Sequence, residues 1–340
     1  MRQAVYDAAF LILSPGTIFN ERFAEYKNPY GEVSKCHNAY IVWVCWPIVK
    51  IPDPPEYKNV FQKMVELYSF PDKPSAIERF WVADLEENQY RRLEGPVNDE
   101  RTDFGSVEEA GEIIERFARS CGADLVGFTK VTDDLVFKGA QVKGRYAISL
   151  GFEMDLDEIN TAPDPPAGIE ALRAYWRLGW IVMKVSEFIR SLGYPAQGHQ
   201  VRTFLNDPPT VLHTLTAVKA GFGEVGRSGL LITPELGPRL RVGTVTTDLE
   251  LPESGERTFG VEEFCSRCTI CAYECRGDAI PYEKRLERGV MKYTIDYQKC
   301  LPEFAKYDGC GICIKVCPFN RRSEEMARFL EGLKGIKEDH

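Results

Sequence analysis

Eight of the chain's eleven cysteines fall in its last quarter, in two blocks. The first runs Cys265-x2-Cys268-x2-Cys271-x3-Cys275. The second is Cys300, then Cys310-x2-Cys313-x3-Cys317-Pro318. Four thiolates hold one [4Fe–4S] cluster, and in paired-cluster segments the last Cys of each run reaches across to the other cluster. The spacing therefore implies two clusters. Cluster one takes Cys265, Cys268, Cys271 and Cys317; cluster two takes Cys300, Cys310, Cys313 and Cys275. Two such clusters form a wire for single electrons, and the long chain ahead of them implies a place to deliver those electrons.

Other readings of the cysteines fit less well. Zinc takes four ligands in paired C-x2-C units, often with His. Here too many thiolates crowd together and no His is near. A disulfide framework implies an oxidising compartment, and we expect no export signal. Cys275 is followed by Arg276 where the second block has Pro318. A cation there raises the potential of a neighbouring cluster. Cys36, Cys45 and Cys121 share no ligand spacing; Cys45 and Cys121 read as small core residues.

A length of 340 residues suggests about two domains. The net charge of −9 offers no basic surface for nucleic acid or anionic membrane. No apolar stretch reaches the ~18 residues needed to span a bilayer, and no twin-Arg leader is seen. We expect a cytoplasmic protein.

The elements that must position this chemistry read as an α/β pattern. Residues 1–105 carry mixed signals, with a strand expected at Tyr40–Val49 and a helix at Tyr57–Tyr68. Ser106-Val-Glu-Glu109 fits a capping box and opens a helix that Gly122 ends. Asp124–Phe128 and Tyr146–Phe152 read as buried strands, Gly168–Leu192 as a long central helix, and Thr210–Ala220 as a helix stopped by Gly221. Leu230–Ile232 and Leu240–Thr246 are strand-like, and Glu324–Leu333 closes the chain as a helix. The expected division is an N-terminal region (1–105), a reductase core (106–252), a two-cluster module (253–322), and a C-terminal helix and tail (323–340).

Gly221-Phe-Gly223-Glu-Val-Gly226 matches G-x-G-x-x-G by letter. A dinucleotide site needs a strand before the glycines and a helix after. Here a helix precedes and an apolar strand follows, so NAD binding is rejected.

The stretch Ala220-Gly-Phe-Gly-Glu-Val-Gly-Arg-Ser-Gly-Leu-Leu-Ile-Thr-Pro-Glu-Leu-Gly-Pro-Arg-Leu-Arg241, with Thr247-Asp-Leu249, resembles the cobalamin-dependent reductive dehalogenases. So do Phe188-Ile-Arg-Ser-Leu-Gly-Tyr194, Gly122-Ala-Asp-Leu-Val-Gly127, and Glu153-Met-Asp155 followed by Thr161-Ala-Pro163. The resemblance covers roughly residues 106–322. The related epoxyqueuosine reductases share the architecture, but their loop typically continues with a Trp-Ile-Gly-Lys type sequence. The segment between Tyr194 and Gly221 looks longer than in many members, and it lines the family's substrate side, so substrate identity does not carry over.

The resemblance implies a nitroreductase-like α/β core holding a base-off corrinoid (cobalamin), with a C-terminal 2[4Fe–4S] ferredoxin-like module. The cobalt-ligating pattern D-x-H-x-x-G is absent, so no protein His on cobalt is expected. The implied reaction takes two electrons and a proton and turns R–X into R–H and halide. The substrate is an organohalide, and the electron donor is a low-potential carrier such as ferredoxin or flavodoxin. The rivals are reduction of a non-halogenated substrate, such as an epoxide, and simple electron carriage.

A proton donor must be tunable, and a nearby cation favours phenolate over phenol. Family members use a helix Tyr with a basic partner, which the resemblance places at Tyr175 and Arg241. A helix Tyr is otherwise an ordinary amphipathic core residue. Gly223, Gly226, Arg227 and Gly229 are the expected corrinoid contacts. His199, Asn206 and His213 are candidate substrate contacts, although His213, inside a helix, also fits a satisfied core histidine. Trp176 and Trp180 either wall an apolar pocket or belong to the core.

Overall fold

The computed structural model divides into two compact units, Met1–Lys50 and Ile51–His340. It describes residues 84–199, 210–287, 290–307 and 309–338, with one short ladder in the first unit, β1 (Tyr26–Lys27) against β2 (Val33–Ser34). The elements expected at Tyr40–Val49 and Tyr57–Tyr68, together with Cys36, Cys45 and Asn206, lie outside the described residues.

The second unit is built on a four-stranded antiparallel sheet: β3 (Leu125–Lys130), β4 (Tyr146–Glu153), β8 (Leu240–Thr247) and β5 (Ala196–His199), in that spatial order. Helix α1 (Val107–Ser120) starts where Ser106 Oγ accepts the Glu109 N–H at 3.1 Å. It ends in paired bonds from Gly122 N to Arg119 O and Ala123 N to Ala118 O, with Gly122 at φ +103°. Glycine takes that conformation without the strain a Cβ brings.

Side chains alternate across a strand, so β8 has two working faces. Gly243 faces α3 (Pro165–Ser191), where an added Cβ would meet Val182 at 2.5 Å. Its neighbour Val242 faces the other way, into a cluster with Ala217 of α4 (His213–Lys219). The sheet is therefore covered on both faces. Ile181, Val182, Val185 and Ile189 of α3 are at most 1% exposed. Each such side chain contributes about 1.5–3 kcal/mol. α4 starts at His213, later than the expected Thr210, because Val211 bridges to Val136 instead.

Helix α2 (Leu156–Ile159) follows β4. The G-x-G-x-x-G stretch runs from the end of α4 into the hairpin β6 (Glu224–Val225) and β7 (Leu231–Ile232). Beyond β8 come α5 (Val261–Arg267), α6 (Ile270–Tyr273), the hairpin β9 (Arg285–Glu287) with β10 (Val290–Lys292), α7 (Tyr297–Lys306), α8 (Ile312–Lys315) and α9 (Ser323–Glu338). Among the described residues no helix is long and apolar enough to cross a membrane.

Two cations join this cysteine-rich end to the sheet half. Arg239, 2% exposed, pairs with Glu153 and donates to Met154 O (3.3 Å), Asn320 Oδ1 (3.2 Å) and Arg321 O (3.1 Å). Lys315 Nζ donates to Ala162 O at 2.7 Å.

Candidate redox and substrate site

The cysteines sit on short turns rather than long helices. α5 delivers Cys265, and its start is capped by Glu224 of β6. The Glu224 carboxylate accepts the N–H groups of Phe259 (2.6 Å), Gly260 (3.1 Å) and Val261 (3.2 Å). A carboxylate there answers the positive end of the helix dipole. Cys271 rides on α6, Cys300 on α7 and Cys313 on α8. Beneath Cys265 and Cys317 lies an aromatic cluster in which Phe319 meets Phe259, Phe264 and Phe329 edge-on at 5.1–6.0 Å.

The thiols fall into two neighbourhoods. Burial pushes Cys317 up to about 12, and the Cys265, Cys271 and Cys268 thiolates add to it. Burial likewise pushes Cys271 up to about 11, with Cys265 and Cys268 adding. Around the second centre, burial raises Cys300, with Cys275 and Cys310 adding. Burial takes Cys313 to about 12, reinforced by Cys310, Cys271, Cys300 and Cys275. The thiolate is the metal-binding form. A cage of buried thiols that repel one another's charge fits a positively charged iron core. Among the described residues no three such side chains converge on a single-ion site. A zinc ion draws its sulfurs to about 2.3 Å from one point, whereas a four-iron cube spreads them over a wider cage.

A cavity of about 380 Å³ lies elsewhere on the sheet. Tyr175 of α3, Arg241 of β8, His213 of α4, Phe137, Leu230 and Leu231 are among its lining residues. Among the described residues the pairing of β5 with β8 runs as far as His199↔Thr244, and side chains from both faces of the sheet line the cavity. Arg241 shares the parity of Gly243 and so faces α3. Its guanidinium lies 4.7 Å over the Tyr175 ring. Among the described residues Arg241 Nε, buried, has no hydrogen-bond partner. A buried donor left unmade costs about 1–3 kcal/mol, which a bound anion or polar group would recover.

His213 Nδ1 lies 2.8 Å from Thr244 Oγ1, and burial lowers its pKa to about 4. Its folded-state pKa lies below the ordinary His value, so the unfolded chain binds more protons between those limits. Stability should fall as pH drops through 6.5 and level off near 4. His213→Gln should flatten that part of a pH-dependent melting profile.

His199 is not a loop residue. It ends β5, 5% exposed, with Nδ1 2.7 Å from Thr210 Oγ1 and Nε2 2.8 Å from Thr246 Oγ1. Trp176 and Trp180 do not line the cavity. Both indole N–H groups donate to Asp84 Oδ2, at 2.7 and 2.8 Å. This ties the segment before α1 onto α3, a link with no signal in sequence spacing.

The glycine loop packs against the cysteine segment. Arg227 is 1% exposed, and each of its guanidinium nitrogens donates to backbone carbonyls of the cysteine segment. A Cβ on Gly223 would meet Ile232 O at 2.1 Å, and one on Gly229 would meet Ile295 at 3.0 Å. One on Gly226 would meet Ile232 at 2.6 Å and Cys265 Sγ at 3.5 Å. The loop thus passes directly against a cluster cysteine, and Leu230 and Leu231, just beyond it, line the cavity. Leu230 also packs in one cluster with Cys313.

Residues 264–321 match the family described as the 4Fe–4S dicluster domain, so the cysteine-rich segment is such a domain. A sheet covered on both faces is joined to it, and the relatives bear on the class. The chain is 35% identical over 214 residues to a tetrachloroethene reductive dehalogenase of Desulfitobacterium hafniense, across 59% of this chain and 37% of that protein. It is 31% identical over 148 residues to the epoxyqueuosine reductase of Escherichia coli, across 40% and 38% of the two chains. A solved reductive dehalogenase, described as suggesting a mechanism for B12-dependent dehalogenation, superposes with a TM-score of 0.64 at 25% identity over 80% of this chain and 38% of that one. In fold and sequence the chain is similar to the reductive dehalogenases. It spans well under half the length of the curated relatives it matches.

Proposed function

We propose that the chain is a corrinoid- and iron–sulfur-dependent reductive dehalogenase acting on a small organohalide. The observation that carries this is the Tyr175–Arg241 pair, set on a cavity whose lining residue Leu230 packs against the same apolar cluster as Cys313. In the proposed reaction R–X, two electrons and one proton give R–H and X⁻. Cys265, Cys268, Cys271 and Cys317 hold one cluster; Cys300, Cys310, Cys313 and Cys275 hold the other. Electrons enter singly through a low-potential carrier.

The cavity's volume suits a small ligand. A whole corrinoid is larger, and the backbone that follows Gly229 would hold part of it. When bound, the cobalt centre supplies the strong reductant that breaks the carbon–halogen bond. Tyr175 Oη delivers the proton. Arg241, over the ring, stabilises the negative charge left on the phenolic oxygen. Leu230, Leu231 and Phe137 keep water from the reacting carbon. The buried Arg241 Nε, without a partner among the described residues, receives an anionic or polar substrate group. A reducing compartment such as the cytoplasm suits thiolates kept for cluster binding.

The likeness to epoxyqueuosine reductase supports a second reading, reductive opening of an epoxide with the same parts. Purification without oxygen, with cobalamin supplied, tests both. About one cobalt and eight irons per chain, with halide released from an organohalide panel, is the expected result. Turnover without halide would select the second reading, and iron without cobalt would leave an electron carrier.

A further inference from the structure

We infer that Arg227 positions the cluster held by Cys265, Cys268, Cys271 and Cys317 and raises that cluster's reduction potential; this rests on the ligand assignment proposed above. Arg227 belongs to the core's glycine loop, yet its side chain is wholly enclosed in the cysteine segment. Nε donates to Cys265 O (3.1 Å) and Cys268 O (2.8 Å). Nη2 donates to Cys265 O (2.5 Å) and Ser266 O (3.3 Å). Nη1 donates to Pro281 O (3.1 Å) and to Tyr282 O. The guanidinium plane lies 4.4 Å from the Tyr293 ring centroid. One side chain thus gathers the backbone of two cluster ligands, and of the turn beyond them, onto a single planar fork.

The charge is the informative part. Arg stays protonated even when buried, and burying an unpaired cation is costly. Among the described residues no carboxylate pairs with Arg227; its partners are carbonyls and one aromatic face. Gathering carbonyls needs donors but not a full positive charge. A four-thiolate iron–sulfur cluster is anionic and gains one negative charge on accepting an electron. A buried cation bonded to the carbonyls of two of its ligands answers that charge with little solvent screening, and so favours the reduced form. Arg276, next to Cys275, is the natural contrast. It is exposed, donates to Tyr307 Oη and lies 5.0 Å over that ring, where water and salt weaken its field.

The test is EPR at poised potentials on the full chain reconstituted with iron and sulfide, with no corrinoid or organohalide present. Wild type should bind about eight irons; failure there would remove the ligand assignment, and the inference with it. Arg227→Met, or Arg227→Gln if Met does not fold, should keep both clusters. It should make one of them at least tenfold harder to reduce, about 59 mV for a one-electron couple, while the other moves much less. Arg227→Lys, which keeps the charge, should stay within threefold of wild type. Arg276→Gln should move the other cluster, and by less. Unmoved potentials in the neutral variants, or Lys shifting as far as they do, would overturn the inference. Should every neutral variant lose iron, Arg227→Lys decides: a wild-type potential supports the charge, and a tenfold loss refutes it.

Discussion

Tyr175→Phe should lower organohalide turnover by roughly 10²–10⁴-fold, the range for a positioned general acid, with iron, cobalt and fold unchanged. The substitution removes one oxygen. The ring stays on α3, and Arg241 keeps its 4.7 Å contact with the ring face. Neither cluster neighbourhood includes Tyr175, so cofactor content should not respond. The contrasting view makes Tyr175 a plain amphipathic helix residue. On that view Phe is a near-neutral exchange that leaves halide release alone. Halide release under single-turnover conditions, beside a melting curve, separates the two. Unchanged turnover would remove Tyr175 as the proton donor.

Cys275→Ala should halve the iron, from about eight to about four per chain, and the cluster lost should be the distant one in sequence. Cys275 closes the first cysteine block, yet its thiolate acts on Cys300, Cys310 and Cys313. Cys317, closing the second block, acts with Cys265, Cys268 and Cys271. Crossed ligation is therefore the proposed arrangement, and a double variant tests it. Cys275→Ala with Cys310→Ala should lose no more iron than either alone, because both open one cage. Cys275→Ala with Cys268→Ala should lose nearly all of it. The reverse pattern would mean that each block holds its own cluster. Bare thiols this strongly buried also make the variants informative for stability, since an empty cage leaves its remaining thiols crowded in apolar surroundings.

Much of the framework was legible because it is local. Ser106 caps its helix through a neighbour three residues on, and Gly122 ends it through bonds within the same turn. Gly168–Leu192 and the two buried strands carried their own periodicity. The cysteine spacing held its reading because loop ligands are close in sequence. β5 was missed, since Ala196-Gln-Gly-His199 has no β-branched run and is a strand only because Thr244–Thr247 pairs with it. The Tyr175–Arg241 contact depends on the parity of β8 against α3, so spacing alone gave no reason for it; the resemblance did. The hydrogen bonds of Arg227 were not legible, because glycines around an Arg look like a ligand loop. Its real partners lie 38 to 55 residues away. Asp84, which receives two indoles from α3, and Arg239, which reaches Asn320, are long-range in the same sense.

Arg239 and Arg227 have a consequence for modularity. Each starts in the sheet half of the chain and finishes its hydrogen bonds in the cysteine half, Arg239 on Asn320 and Arg321, Arg227 on the Cys265–Cys268 turn. The last quarter looks like a ferredoxin that could be cut out and grafted elsewhere. Its cluster turn, however, is closed by a borrowed residue. The two halves share one foundation, so the spacing between wire and cavity is set once, at folding, and does not depend on docking at each turnover.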